Sequence, residues 1–234
     1  MNIDELIKKA VAESLLEEGI GGVEKEKVLE ESYVIQTPVF NLNTELLSKK
    51  TIKAHKELLD NYIKTNNKIS AMLDSASKEE SNLNHSYWRS LKSDEAYNHN
   101  ASFLHGLYFQ NISDLASQIS MNTLSFMRLE RDFGSFDNWQ TDFIACAQSA
   151  RNGWAITCYN MQLKKYVNTI IDLHSDNVMI GCYPIIVIDC WEHSYFRDYL
   201  KNKKAYIHGM MKELNWNVIE ERFKVAENIQ KALG

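Results

Sequence analysis

Two long stretches with few helix breakers constrain this chain more than any other feature. The first runs from Leu46 to about Ile69, with Ser48 placed to cap Lys49–Ile69, and the second covers roughly Asp94–Ser117. Between them Ser75–Asn84 is polar and rich in Ser and Asn, so the spacing predicts an antiparallel helical hairpin. After about Asn122 the texture changes. Phe133-Gly134-Ser135-Phe136 reads as a turn and cap before a helix at Asp137–Ser149. Gly153–Tyr159, Tyr166–Asp172 and Pro184–Ile188 are short apolar or β-branched runs that read as strands, and Trp191–Leu200 and Val218–Leu233 read as helices. The order predicts an α+β fold: an N-terminal α-helical hairpin domain at residues 33–121, then a C-terminal α/β domain with a small antiparallel sheet at residues 122–234.

With 44% apolar residues, only 2 Pro and 9 Gly, the 234-residue chain can bury a substantial core, and collagen-like or wholly disordered classes are excluded. No membrane span is expected: the charge-free stretch Asn177–Ile188 is short of the roughly 20 residues a spanning helix needs. The start of the chain has no basic and apolar leader pattern, and Cys146, Cys158, Cys182 and Cys190 form no Cys-x-x-Cys pair. The expectation is a set of reduced, buried thiols in a cytoplasmic protein. The formal charge of −5 resides in residues 1–32, which hold nine acids and four lysines. The rest is balanced, which argues against nucleic acid as a partner. Residues 1–32 read as an acidic extension, a short amphipathic helix and a linker, either docked on its own domain or tethering another protein.

Seven histidines are the chemistry-bearing candidates. His55 and His105 each fall inside one hairpin helix beside apolar neighbours. Facing helices are a common place to build a metal site from inward side chains. Asp189 follows the buried-strand run Pro184–Ile188, with His193 four residues later. A carboxylate at the end of a buried strand is costly unless it is paired or bound to a cation. Three imidazoles and a carboxylate therefore form a metal hypothesis.

The segment Asp189-Cys190-Trp191-Glu192-His193-Ser194-Tyr195 resembles the Asp-x-Trp-Glu-His-Ala-Tyr signature of iron/manganese superoxide dismutases. Phe133-Gly134-Ser135-Phe136, Gly153-Trp154-Ala155 and Asn215-Trp216-Asn217 are similar to further stretches of that family, in the same order. Thr51–His55 and Leu104–Phe109 resemble the segments around its first and second ligands, so the likeness covers about residues 40–230.

The resemblance implies a superoxide dismutase binding one Fe or Mn ion per chain, with His55, His105, Asp189 and His193 as ligands and superoxide as substrate. Three imidazoles and one carboxylate suit a redox-active first-row metal; zinc is the competitor. The resemblance also places His174 where many members have a glutamine that bonds metal-bound solvent, and Tyr62, seven residues after His55, as the gateway tyrosine. Phe103, Tyr108, Trp154 and Trp191 are implied as an aromatic shell, Lys203 as a cation at the channel mouth, and Glu192 as a dimer contact onto the partner's His193 in a homodimer or tetramer. At the positions of a histidine–tyrosine pair common in the family this chain has Leu59 and Phe196. His85, His99 and His208 are expected at the surface. The alternative is a non-catalytic structural or interaction protein that keeps the scaffold and metal site.

Overall fold

Ser48 Oγ accepts the backbone N–H of Thr51 at 3.2 Å and starts helix α1, Lys49–Ser75. Ser86 does the same for Arg89 at the head of helix α2, Tyr87–Asn111. Such caps satisfy donors that a helix's first turn leaves unpaired. The computed structural model describes residues 35–40, 42, 44–112 and 117–232, so the acidic extension expected at residues 1–32 lies outside the described residues. Ser32–Gly234 form one compact unit. Both hairpin helices differ in length from expectation: α1 continues past Ile69, while α2 begins before Asp94 and stops at Asn111 instead of Ser117. Distant groups meet this end: the Asn215 backbone N–H donates to the Asn111 carbonyl at 2.7 Å. Arg222, 6% exposed, donates to the Leu107 carbonyl (3.0 Å), to Gln110 Oε1 (2.7 Å), to Asn111 Oδ1 and to the Ile185 carbonyl (2.8 Å).

Helix α3, Leu124–Phe133, was not expected from the sequence; it ends at Gly134, whose φ of +83° is a conformation glycine adopts without strain. Ser135 then caps helix α4, Phe136–Ser149, through the Asn138 N–H at 3.0 Å. Strands β1 (Gly153–Asn160), β2 (Lys165–Asp172) and β3 (Cys182–Asp189) form an antiparallel sheet in the order β2-β1-β3. Helices α5 (Glu192–Tyr199), α6 (Lys203–Met210, also unexpected) and α7 (Trp216–Ala232) complete the chain.

The central strand β1 is buried along its whole length. Gly153 opens it because a Cβ there would sit 2.0 Å from the Ile171 carbonyl oxygen. In the adjoining register Trp154 lies opposite Asp189. Leu59, Ile63, Leu104 and Tyr108 of the hairpin share one core with Trp139, Phe143, Trp154 and Ile185–Ile188, so the two halves fold onto each other. Among the described residues no helix is long and apolar enough to cross a membrane. All four cysteines are free thiols, but only Cys158 and Cys190 are buried; Cys146 and Cys182 are half-buried, against the expectation of four buried ones.

Candidate metal centre

The hairpin and the sheet meet at one carboxylate. Nε2 of His55, His193 and His105 lie 3.0, 3.2 and 3.6 Å from the same atom, Asp189 Oδ2. The four ligand atoms all fall within 4.8 Å of one another. Asp189 is wholly buried, and its orientation is fixed locally: Oδ1 accepts the Trp191 backbone N–H at 2.8 Å. Its carbonyl accepts the Tyr206 hydroxyl at 2.8 Å and the Ser194 hydroxyl at 3.1 Å. His193 follows one turn into α5, the only one of the four with an appreciably exposed side chain, at 27%.

The charge states follow from burial and neighbours. Burial lowers the pKa of His55 against the opposing pull of Asp189, and lowers that of His105 further, with His55 adding to the effect. Both rings are therefore neutral at neutral pH. Burial opposes the charge on Asp189, but His193 and His55 outweigh it and hold the carboxyl well below the usual carboxylate range.

His105 supplies the test of whether a cation belongs here. Its Nδ1 lies 2.7 Å from the Ala101 carbonyl, one helical turn earlier. A carbonyl can only accept, so Nδ1 carries the proton and Nε2 of the neutral ring is a bare lone pair. That lone pair is buried, has no hydrogen-bond partner, and faces a carboxylate oxygen, acceptor against acceptor. An unpaired buried acceptor costs ~1–3 kcal/mol. A cation among the four atoms removes the conflict, and the nitrogen-and-oxygen donor set, without thiolate, fits iron or manganese.

His174 and Tyr62 stand beside this cluster. The Trp154 indole N–H donates to His174 Nδ1 at 3.0 Å. An indole can only donate, so the His174 proton resides on Nε2, which lies 3.0 Å from the Tyr62 hydroxyl oxygen and donates to it. Burial brings the His174 pKa down to about 4, against Asp189, so the ring is neutral near pH 7. Burial raises the Tyr62 pKa, with Tyr97 and Asp189 adding to it, so the phenol keeps its proton. Trp154 packs edge-on to His105 with ring centroids 4.8 Å apart, Tyr108 lies 5.3 Å from His55, and Trp191 stacks on His174 at 5.0 Å and on His193 at 5.6 Å.

Two implied roles need correction. Phe103 is not part of the aromatic surround: it is 48% exposed and lines a different cleft with Ile156 and Met179. It precedes His105 by two residues, which a helix turns to the opposite face. Phe109, one turn after His105, takes the place instead, 4.9 Å from His55. Lys203 does not line the opening beside His193, because its ammonium donates to the Ala150 carbonyl. That opening, about 490 Å³, is lined by Thr51, Leu58, Glu192, Phe196 and Arg197 around His55 and His193, so Arg197 is the cation there. Leu58 and Phe196 both line it, while Leu59 is buried in the core. Tyr97, which sequence reasoning missed, packs edge-on to His174 at 4.7 Å; it lies about two helical turns before His105, a spacing that could have marked it. His85, His99 and His208 are exposed.

Residues 123–222 match the family model described as iron/manganese superoxide dismutases, C-terminal domain. The chain is 32% identical over 195 residues to superoxide dismutase [Fe] of Aquifex pyrophilus, covering 82% of this chain and 91% of that protein. It is 32% identical over 133 residues to superoxide dismutase [Mn] 1 of Halobacterium salinarum, covering 57% of this chain and 66% of the relative. A match of 31% over 188 residues to superoxide dismutase [Fe] of Cupriavidus metallidurans covers 77% and 90%.

Proposed function

This chain belongs to the iron/manganese superoxide dismutase family, and from that premise we propose that its buried histidine–aspartate cluster is the seat of superoxide dismutation. Iron or manganese held by His55, His105, Asp189 and His193 supplies the reversible one-electron change the reaction needs, two superoxide anions and two protons giving oxygen and hydrogen peroxide. The observation that carries the reading is the convergence of three imidazole nitrogens on Asp189 Oδ2, one of them a lone pair with no partner.

The chain's own groups do the rest. His105 is held in its ligating tautomer by the Ala101 carbonyl, and Asp189 by the Trp191 N–H. His174, neutral and oriented by Trp154, donates to the Tyr62 oxygen. Tyr62 keeps its own O–H, which is shared with the neighbouring Tyr97 hydroxyl, and we assign this pair the delivery of protons to the reduced product. The rings of Tyr108, Phe109, Trp154 and Trp191 keep bulk water from the charged cluster, so its electrostatic interactions are little screened.

The half-exposed face around His193 supports a homodimer in which Glu192 bonds His193 of the partner subunit. Glu192→Ala is expected to yield monomers in analytical ultracentrifugation. Four unpaired thiols suit a reducing, cytoplasmic setting. The central experiment is elemental analysis of the purified protein together with a superoxide-consumption assay. Iron or manganese near one per chain with rapid consumption is the expected result. A metal-replete protein that leaves superoxide unconsumed would mean a scaffold retained for another purpose.

A further inference from the structure

The proposed reaction uses none of the four cysteines, yet two of them are neighbours. Cys158 lies within β1 and Cys182 opens β3. In the register of these strands Cys158 is opposite Pro184, and Asn160 is opposite Cys182. Side chains alternate along a strand, so both sulfurs project from the same face as diagonal cross-strand neighbours. An irregularity between Thr157 and Cys158 breaks the even ladder at this point, and the two thiols are close enough to interact.

Their surroundings give them access. Both line a cleft of about 190 Å³ between α2 and the sheet, together with Phe103, Val178 and Met179. Cys182 is half-buried and Cys158 is 1% exposed, so one sulfur meets the cleft first and the other stands behind it. Gly181, with φ of +79°, a conformation glycine adopts without strain, turns the chain into Cys182 at the start of β3. Cys190 is placed differently: it is buried, and its thiol donates to the Ile188 carbonyl at 3.7 Å.

We propose that Cys158 and Cys182 are a dithiol that hydrogen peroxide converts to a cross-strand disulfide. The thiol chemistry stands on the sheet geometry; only the origin of the peroxide, as the product of this same chain, rests on the superoxide dismutase reading. In the first step the Cys182 thiolate sulfur attacks one peroxide oxygen. An S–O bond forms, the O–O bond breaks, and the departing hydroxide takes a proton to become water. Cys158 sulfur then attacks the Cys182 sulfenic sulfur; an S–S bond forms, the S–O bond breaks, and a second water leaves with the Cys158 proton. Two thiols lose two electrons and one peroxide gains them. Burial raises the Cys158 pKa, with Cys182 adding to it, so Cys158 stays a thiol until its neighbour has reacted. The bond would clasp the first residue of β3 to the central strand.

The test treats the full-length, metal-loaded protein with added hydrogen peroxide, counts free thiols and maps peptides without reduction. Free thiols are expected to fall from four to two per chain, in one disulfide joining Cys158 and Cys182 that dithiothreitol reverses. With Cys158→Ser, Cys182 should accumulate a dimedone-trapped sulfenic acid; with Cys182→Ser, Cys158 should keep its thiol. Four persisting thiols, a disulfide between another pair, or equal sulfenic yield in wild type and Cys158→Ser would overturn the proposal. Because the peroxide is added from outside, this result is read independently of the superoxide assay, and either can fail without the other.

Discussion

The helical hairpin and the sheet half each bring two ligands to the centre, but they hold them by different means. Asp189 and His193 lie within one turn of chain; the Trp191 N–H holds the carboxylate, and the Ser194 and Tyr206 hydroxyls hold the Asp189 backbone carbonyl. His55 and His105 sit on separate helices, brought together by the packing of α1 on α2 and α5 and of α2 on β3. The ligands of the sheet half are thus contiguous in the chain, whereas those of the hairpin half are assembled by helix packing. The buried acceptor on His105 is tolerable because the other half supplies the ion's remaining partners.

Removing a ligand from either half tests whether they are equal in the folded protein. Asp189→Asn and His105→Ala should each lower metal affinity by more than about 100-fold, since losing an outer hydrogen-bond partner alone costs about 10–100-fold. Activity should fall in parallel. Metal content after gel filtration checks this, and retention of metal by His105→Ala alone would break the equivalence.

The next effect concerns the frame of the sheet half. Gly153→Ala forces a Cβ against the Ile171 carbonyl and should cost ~3 kcal/mol in denaturant unfolding, the upper end for overpacking. A smaller effect belongs to the joint between the halves. Arg222→Met takes this donor from the buried Asn111 amide oxygen and the Ile185 carbonyl and should cost ~2 kcal/mol. If the hairpin depends on this joint as argued, metal retention during partial unfolding should fall with it.

The smallest effect is one of pH. Glu220, on α7, accepts the backbone N–H groups of Leu124 and Ser125 at 2.8 and 2.9 Å, at the head of α3. Burial opposes its charge, but the bonds from Ser125 and Leu124 hold its pKa below the ordinary value. Its contribution is therefore complete above the unfolded glutamate pKa of about 4.3 and is lost as pH falls through the lower folded value. Glu220→Gln should cost ~0.5–1 kcal/mol at pH 7, and the gap from wild type should close in acid melts.

The same contrast explains what could be read from the sequence. The sheet half was legible because its chemistry is contiguous: a buried strand, an acid at its end, and a histidine four residues on. Ser48, Gly134 and Ser135 marked helix ends through local rules that hold in the fold. Helix α2 defied reading at its end because the groups that meet it there, the Asn215 N–H on the Asn111 carbonyl and Arg222 on the Leu107 carbonyl, come from far along the chain. Helix α3 carried a local signal that was overlooked: Thr123 caps it through the Phe126 N–H at 3.3 Å, and Glu220 adds distant support to the same turn. The exchange of Phe103 for Phe109 was avoidable, since helical periodicity alone separates the face two residues before His105 from the face four residues after it.

Trp154 has no part in the proposed proton delivery itself, yet its indole sets which way His174 gives its hydrogen. A glutamine amide can turn over and swap its giving and taking ends. The imidazole of His174, pinned between an indole that has no lone pair to offer and a phenol, cannot do so without forfeiting a bond. Hydrogen traffic along this short wire has a single permitted heading, written into a tryptophan at the start of the central strand.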